Sequence, residues 1–163
     1  MIKNNETYGE ITTLGQTQLL SLIKKDIPKN TIGKFLDIGC GYGKTVQFIA
    51  EHTNMQCIGV EIDKRKLDIA SKIIWTNKPE NIVIMHVDIQ KRFDLVSDAD
   101  IIFMNSVTWQ RDLVSKIIDK SNGIVVYNRI DIYPKNIEKE KIKLDCNWSK
   151  FPQSFYKLNT KVI

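Results

Sequence analysis

The sequence predicts an α/β protein built on a doubly wound, mostly parallel sheet, and three observations lead there. Short, almost wholly apolar bursts alternate with amphipathic stretches from Lys34 onward. The first burst stops in a glycine cluster, Gly39-Cys40-Gly41-Tyr42-Gly43. The last two strand-like stretches, Lys141 to Asn147 and Ser154 to Val162, have only Trp148-Ser149-Lys150-Phe151-Pro152 between them. Near-continuous apolar strands separated by amphipathic helices are what a parallel sheet covered on both faces requires. The short final connection leaves no room for a crossover helix, so the last two strands are expected to be antiparallel neighbours.

Each element follows from periodicity. Leu14, Leu19, Leu20, Leu22 and Ile23 suit one face of a helix from Thr12 to Lys25, which Pro28 ends. Lys34 to Ile38 is the first strand, followed by a helix from Lys44 to about His52 and a strand from Cys57 to Glu61. A helix from Asp63 to Trp75, a strand from Ile82 to Val87 and a brief polar connection come next. A strand from Ala99 to Met104, a helix from Thr108 to Lys120 and a strand from Gly123 to Asn128 complete the alternation.

The 163 residues fall in the range of about 100–200 that is usual for one domain. The expected division is a single unit, 1–163, with an N-terminal loop and helix over 1–30, a core over 31–128 and antiparallel strands over 129–163. Lys and Arg number 24 against 19 acidic residues, a net charge of +5, and only Arg65, Arg92, Arg111 and Arg129 are arginines. Lysine supplies diffuse attraction to anions where arginine supplies a bidentate grip, so this excess implies at most weak nucleic-acid contact. Lys135, Lys139, Lys141 and Lys143 are interrupted by Glu138 and Glu140 and read first as a solvated strand. Cys40, Cys57 and Cys146 are odd in number and widely spaced, with only His52 and His86 beside them, which argues against a disulfide framework and a zinc site. No apolar run approaches the ~20 residues of a membrane span, and Met1-Ile2-Lys3-Asn4-Asn5 is too polar to open a signal peptide. The expected setting is a reducing intracellular compartment, nucleus or cytoplasm.

The glycine cluster carries the chemistry. Glycines between a strand and a helix allow a tight turn and a close approach to amides at the helix start. Counting from Gly39, the sixth position of a dinucleotide fingerprint falls on Lys44, so the nicotinamide reading fails, and no Gly-Lys-Ser/Thr follows at Walker spacing. An acid followed by G-x-G-x-G, here Asp37 before Gly39, Gly41 and Gly43, resembles motif I of S-adenosylmethionine-dependent methyltransferases. Asp37 suits the cationic side of the methionine moiety, and the loop amides suit its carboxylate. Glu61, ending the second strand, is placed for the ribose hydroxyls, and Asp88, after the third, for the adenine amine. Three acids in register beside a glycine loop make a methyltransferase the leading expectation, and they speak against a cofactor-binding pseudoenzyme.

The fourth strand ends Phe103-Met104-Asn105, without the Pro-Pro-aromatic run of base-amine methylating enzymes. Tyr8-Gly9-Glu10 and the block Asn147-Trp148-Ser149-Lys150-Phe151-Pro152-Gln153-Ser154-Phe155-Tyr156 resemble the signatures of the non-SET histone lysine methyltransferases, the disruptor-of-telomeric-silencing type. That resemblance implies a class I fold, S-adenosyl-L-methionine as cofactor and a histone or nucleosome substrate. It implies cofactor contacts from Tyr8, Gly9, Glu10, Asp37, Gly39, Gly41, Gly43, Lys44, Glu61, Asp88, Ile89 and Asn105. Phe103, Trp148 and Phe155 would border a lysine channel, with Asn105 as the polar orienter. The chain departs from the family at Ile11, Lys44, Ile89 and Phe155, the last standing where the family has tyrosine. A lysine acceptor also fits a chain with no histidine in a motif. Deprotonating lysine at pH 7 from a pKa of ~10.4 costs about 4–5 kcal/mol, and an apolar channel beside a sulfonium lowers that pKa without a strong base. The alternative is a class I methyltransferase acting on a non-histone protein or a small molecule.

Overall fold

The computed structural model describes residues 9–27, 32–76, 79–129, 131–132 and 137–161; Tyr8, Pro28, Lys135 and Val162 of the sequence reading lie outside them. The order is α1 (Thr13–Asp26), β1 (Lys34–Ile38), α2 (Lys44–His52), β2 (Gln56–Glu61), α3 (Lys64–Thr76), β3 (Ile82–His86), α4 (Phe93–Asp98), β4 (Ile101–Met104), α5 (Arg111–Lys120), β5 (Ile124–Tyr127), β6 (Lys139–Leu144) and β7 (Gln153–Asn159). The strands form one seven-stranded sheet in the order β3-β2-β1-β4-β5-β7-β6. The first five pair in parallel, while β7 lies antiparallel between β5 and β6. This is the doubly wound α/β sheet with antiparallel C-terminal strands that the alternation of signals predicts.

Strand alternation divides the core between the two faces. Phe35 packs with Leu19 and Ile23 of α1 and Val46 and Ile49 of α2. Leu36 and Ile38 pack on the other face with Val96 of α4 and Val114, Ile117 and Ile118 of α5. The N-terminus of α1 is fixed by a distant segment. Thr12 caps the helix by accepting from the Gly15 amide at 3.2 Å and donates to Asp145 Oδ2 at 2.5 Å, and Ile11 bridges to Cys146.

Three readings of the sequence change. The connection after β3 contains a 3-10 turn at Ile89–Lys91 and helix α4, whose six residues are too few for apolar periodicity to reveal. Helix α5 starts at Arg111 rather than Thr108, because residues 106–109 close a turn in which the Trp109 amide donates to Ser106 O at 3.1 Å. Leu14 is 57% exposed, since the buried face of α1 runs through Gly15, Gln16, Leu19, Leu20 and Ile23. Lys139, Lys141 and Lys143 lie on edge strand β6, as the reading of a solvated strand expects, with Lys139 over the Tyr156 ring and Lys143 donating to Ser154 Oγ at 2.9 Å. Among the described residues no helix is long and apolar enough to cross a membrane.

Candidate active site

The site lies at the carboxyl edge of the parallel strands, where open α/β sheets leave a crevice. After β1 the chain turns through Gly39, Gly41 and Gly43, all with φ between 57° and 76°, a region open to glycine at no steric cost. The turn is pinned to β2, because the Gly39 and Cys40 amides donate to Val60 O at 2.8 and 3.0 Å. Glu61, buried at the end of β2, locks it further. Its Oε2 accepts from the Gly41 amide at 2.9 Å, and its Oε1 accepts from Ile62 and Asp63 amides at 2.8 and 2.9 Å. Asp88, after β3, accepts from the Gln90 amide at 3.0 Å and caps the 3-10 turn.

A cavity of about 500 Å³ opens over this edge. Gly39, Gly41, Glu61, Asp88 and Ile89 line it together with Gly9, Asn105, Trp109 and Trp148. Trp109 closes over the glycine turn so tightly that a Cβ on Gly39 would stand 2.8 Å from its ring; Arg129 holds its loop by donating to Trp109 O. Trp148 packs on Gly9, where an added Cβ would be 2.7 Å away.

Asp37 sits behind the glycine turn and does not line the cavity. Burial, reinforced by the charges of Glu61 and Glu10, pushes its carboxyl from 3.8 up to about 8, against the opposing hydrogen bond of the Val46 backbone. Burial likewise pushes the Cys57 and Cys146 thiols up to about 12 and raises Cys40. All three cysteines are free, buried and uncharged at neutral pH, which leaves them poor nucleophiles.

The structure gathers only part of the sequence-predicted set around this cavity. Gly9, Gly39, Gly41, Glu61, Asp88, Ile89, Asn105 and Trp148 line it. Glu10 and Lys44 instead pair with each other at 2.8 Å on the wall of a second, shallower cleft. Gly43 lies under the turn, packed toward Ile84 and Ile74. Phe103 and Phe155 require a correction: they are core residues, their rings stacked with centroids 5.8 Å apart on the α1/α2 face of the sheet. Strand alternation places both on that face, within the cluster against which Trp148 packs, and neither lines the cavity. Sequence reasoning missed Lys66, Gln90, Trp109 and Asn128. Asn128 had a legible signal, a polar residue closing an apolar strand at the same edge as the three acids.

The residues from 29 to 159 match the family model described as "Methyltransferase domain". No curated protein matches. Among solved structures, an RNA methyltransferase from Salinibacter ruber in complex with S-adenosyl-L-homocysteine superposes with a TM-score of 0.71 at 16% identity, covering 94% of this chain and 95% of that one. Precorrin-6y C5,15-methyltransferase from Geobacter metallireducens superposes with a TM-score of 0.67 at 12% identity, covering 88% of this chain and 86% of that one. Those identities speak for the fold alone. The family match, spanning every strand of the sheet and the glycine turn at its edge, shows that the chain belongs to the methyltransferase domain family.

Proposed function

We propose that the protein is a class I S-adenosylmethionine-dependent methyltransferase whose acceptor, a small molecule or a group on a non-histone protein, enters between Asn105, Trp109 and Trp148. The observation that carries this reading is the single cavity at the carboxyl edge of the sheet, of a size usual for ligand sites, whose lining combines the glycine turn, Glu61 and Asp88 with Asn105 and the rings of Trp109 and Trp148.

The donor set fits the cofactor. The charges of Glu61 and Glu10 lie close enough to Asp37 to hinder its ionisation, a field that favours a cationic guest. The glycine turn brings bare backbone to the cavity wall where a side chain would collide with Trp109. When bound, the cofactor supplies an electrophilic methyl group on a sulfonium. Glu61 is held by three amides in one orientation, which suits it to accept from a pair of hydroxyls. Ile38, Val60, Val87 and Leu113 line the same cavity and exclude water from it. The complex of the Salinibacter ruber enzyme with S-adenosyl-L-homocysteine supports the choice of cofactor.

Calorimetry with S-adenosylhomocysteine tests the cofactor: Glu61→Gln is expected to weaken binding about tenfold or more, the worth of a lost charge-assisted hydrogen bond. The acceptor is tested by offering labelled cofactor with nucleosomes, histone octamers, non-histone protein and a small-molecule extract. Label is expected in the small-molecule fraction or on non-histone protein. The histone-lysine reading keeps Gly9, Asn105 and Trp148 at the cavity but loses Phe103 and Phe155 to the core, so we rank it second; methyl-lysine on histones alone would restore it.

A further inference from the structure

One edge of the sheet is open to a further strand. Among the described residues β7 is the sole strand beside β6, so Lys139–Leu144 presents a bare edge. Just past its end the same edge already takes an extended segment of this chain. Ile11 bridges antiparallel to Cys146, the Thr12 amide donates to Asp145 O and the Asn147 amide donates to Glu10 O, each at 3.0 Å. The Asp145 amide points outward too, donating to Gln18 Oε1 at 2.9 Å. Along a strand the amide and carbonyl of one residue point to the same side, and the side alternates from residue to residue. Counting back from Asp145 in twos reaches Lys143, Lys141 and Lys139, whose backbone groups therefore face the open edge.

The side chains of the same three residues share one face, opposite Ser154, Tyr156 and Leu158 in the ladder. Lys139 lies over the Tyr156 ring and donates to Ile132 O, while Lys141 and Lys143 are exposed. Glu140 is on the other face, paired with Lys157 at 2.8 Å. Lysines on an edge oppose indiscriminate strand pairing, and here they also select. A second copy of the chain docked edge to edge about a two-fold axis would set lysine against lysine, which is destabilising, whereas carboxylates directly opposite are stabilising. A nucleic acid would answer the ammonium groups but leave the outward amides and carbonyls without a ladder. Backbone and charge are both satisfied by an acidic polypeptide in extended form.

We propose that the open edge of β6 docks an extended acidic segment of a partner protein, added antiparallel as Gly9–Thr12 are, with carboxylates at alternate positions opposite Lys141 and Lys143. The docking is independent of the methyltransferase reading. Where both hold, it tethers a protein acceptor to the hairpin whose connection carries Trp148 into the cavity wall.

Fluorescence anisotropy with the full chain compares three labelled probes: an octapeptide alternating Glu and Thr, the same residues in two blocks, and an oligouridylate of equal charge. The alternating peptide is expected to bind about tenfold tighter than the block peptide, since only its carboxylates fall in register with the lysines. Lys141→Glu with Lys143→Glu should weaken it about tenfold or more and transfer preference to an octapeptide alternating Lys and Thr, a gain that also shows the edge to be intact. Methylating the peptide amides that face β6 should abolish binding, and methylating the alternate set should spare it. Equal binding of the block peptide, tighter binding of the oligouridylate, or equal loss from both methylated sets overturns the proposal. Binding of S-adenosylhomocysteine, read separately by calorimetry, decides the cofactor reading whichever way the peptides fall.

Discussion

A carboxyl buried beside two others keeps its proton into the neutral range, and Asp37 does so up to about 8. The consequence for stability has a definite sign. In the unfolded chain Asp37 ionises near 3.8, so between that value and about 8 the folded state holds the extra proton, and stability falls as pH rises through this window. Asp37→Asn removes the penalty: its unfolding free energy should match the wild type below pH 4 and exceed it increasingly toward pH 8, by a few kcal/mol, each pKa unit being worth about 1.4 kcal/mol. The same proton should be expelled when a cationic cofactor binds, so calorimetry at neutral pH in buffers of different ionisation enthalpy should show proton release that Asp37→Asn abolishes. At Gly39, φ of 73° and the Trp109 ring both exclude a side chain. Gly39→Ala should cost about 1–2 kcal/mol of stability for the left-handed backbone alone and displace Trp109, read as a change in tryptophan fluorescence and weakened cofactor binding. Asp37, Glu61 and Asp88 were legible as site candidates because acids closing apolar strands stand out from their surroundings. Phe103 and Phe155 were misplaced because an aromatic on a buried strand carries no mark of which layer it joins.

At the level of elements, apolar periodicity located every strand and the longer helices, with boundaries off by one to three residues. It failed where periodicity has too little length to work with, in α4, and where a backbone turn delays the start of a helix, as at residues 106–109 before α5. Helix α2 connects the glycine turn to the core, with Val46 and Ile49 fully buried against Phe35 and α1. Ile49→Ala should cost about 2–5 kcal/mol, the usual range for emptying a packed aliphatic site, measured by denaturant unfolding. Because Ile49 points away from the cavity, cofactor affinity under folding conditions should remain near that of the wild type. Antiparallel pairing of β6 and β7 was readable from the short connection alone, whereas the insertion of β7 between β5 and β6 depends on which neighbour each strand meets in three dimensions.

The sheet, the cavity and the cofactor reading meet at the scale of the whole molecule. A ligand that binds only the folded state at a hundred times its dissociation constant adds about 2.7 kcal/mol, and for a protein of this size that corresponds to roughly 5–10 °C of melting temperature. Saturating S-adenosylhomocysteine should produce such a rise, and Glu61→Gln should lose most of it. The net charge of +5 is untouched by the pairing of Lys44, Lys34 and Lys157 with carboxylates of the same chain, because each pair removes one charge of either sign.

The position of β7 also governs when the site comes into being. Gly9 to Thr12 are held by Asp145 and Asn147, through bonds from the Thr12 amide to Asp145 O and from the Asn147 amide to Glu10 O, each 3.0 Å. Trp148, which packs on Gly9, lies in the connection that leads into β7. A chain growing on the ribosome has its glycine turn and acids in place long before these late residues emerge, yet the wall formed by Gly9 and Trp148 must wait for them. Contacts so far apart in sequence form slowly, and assembly of that wall is thereby tied to late steps of folding rather than the first.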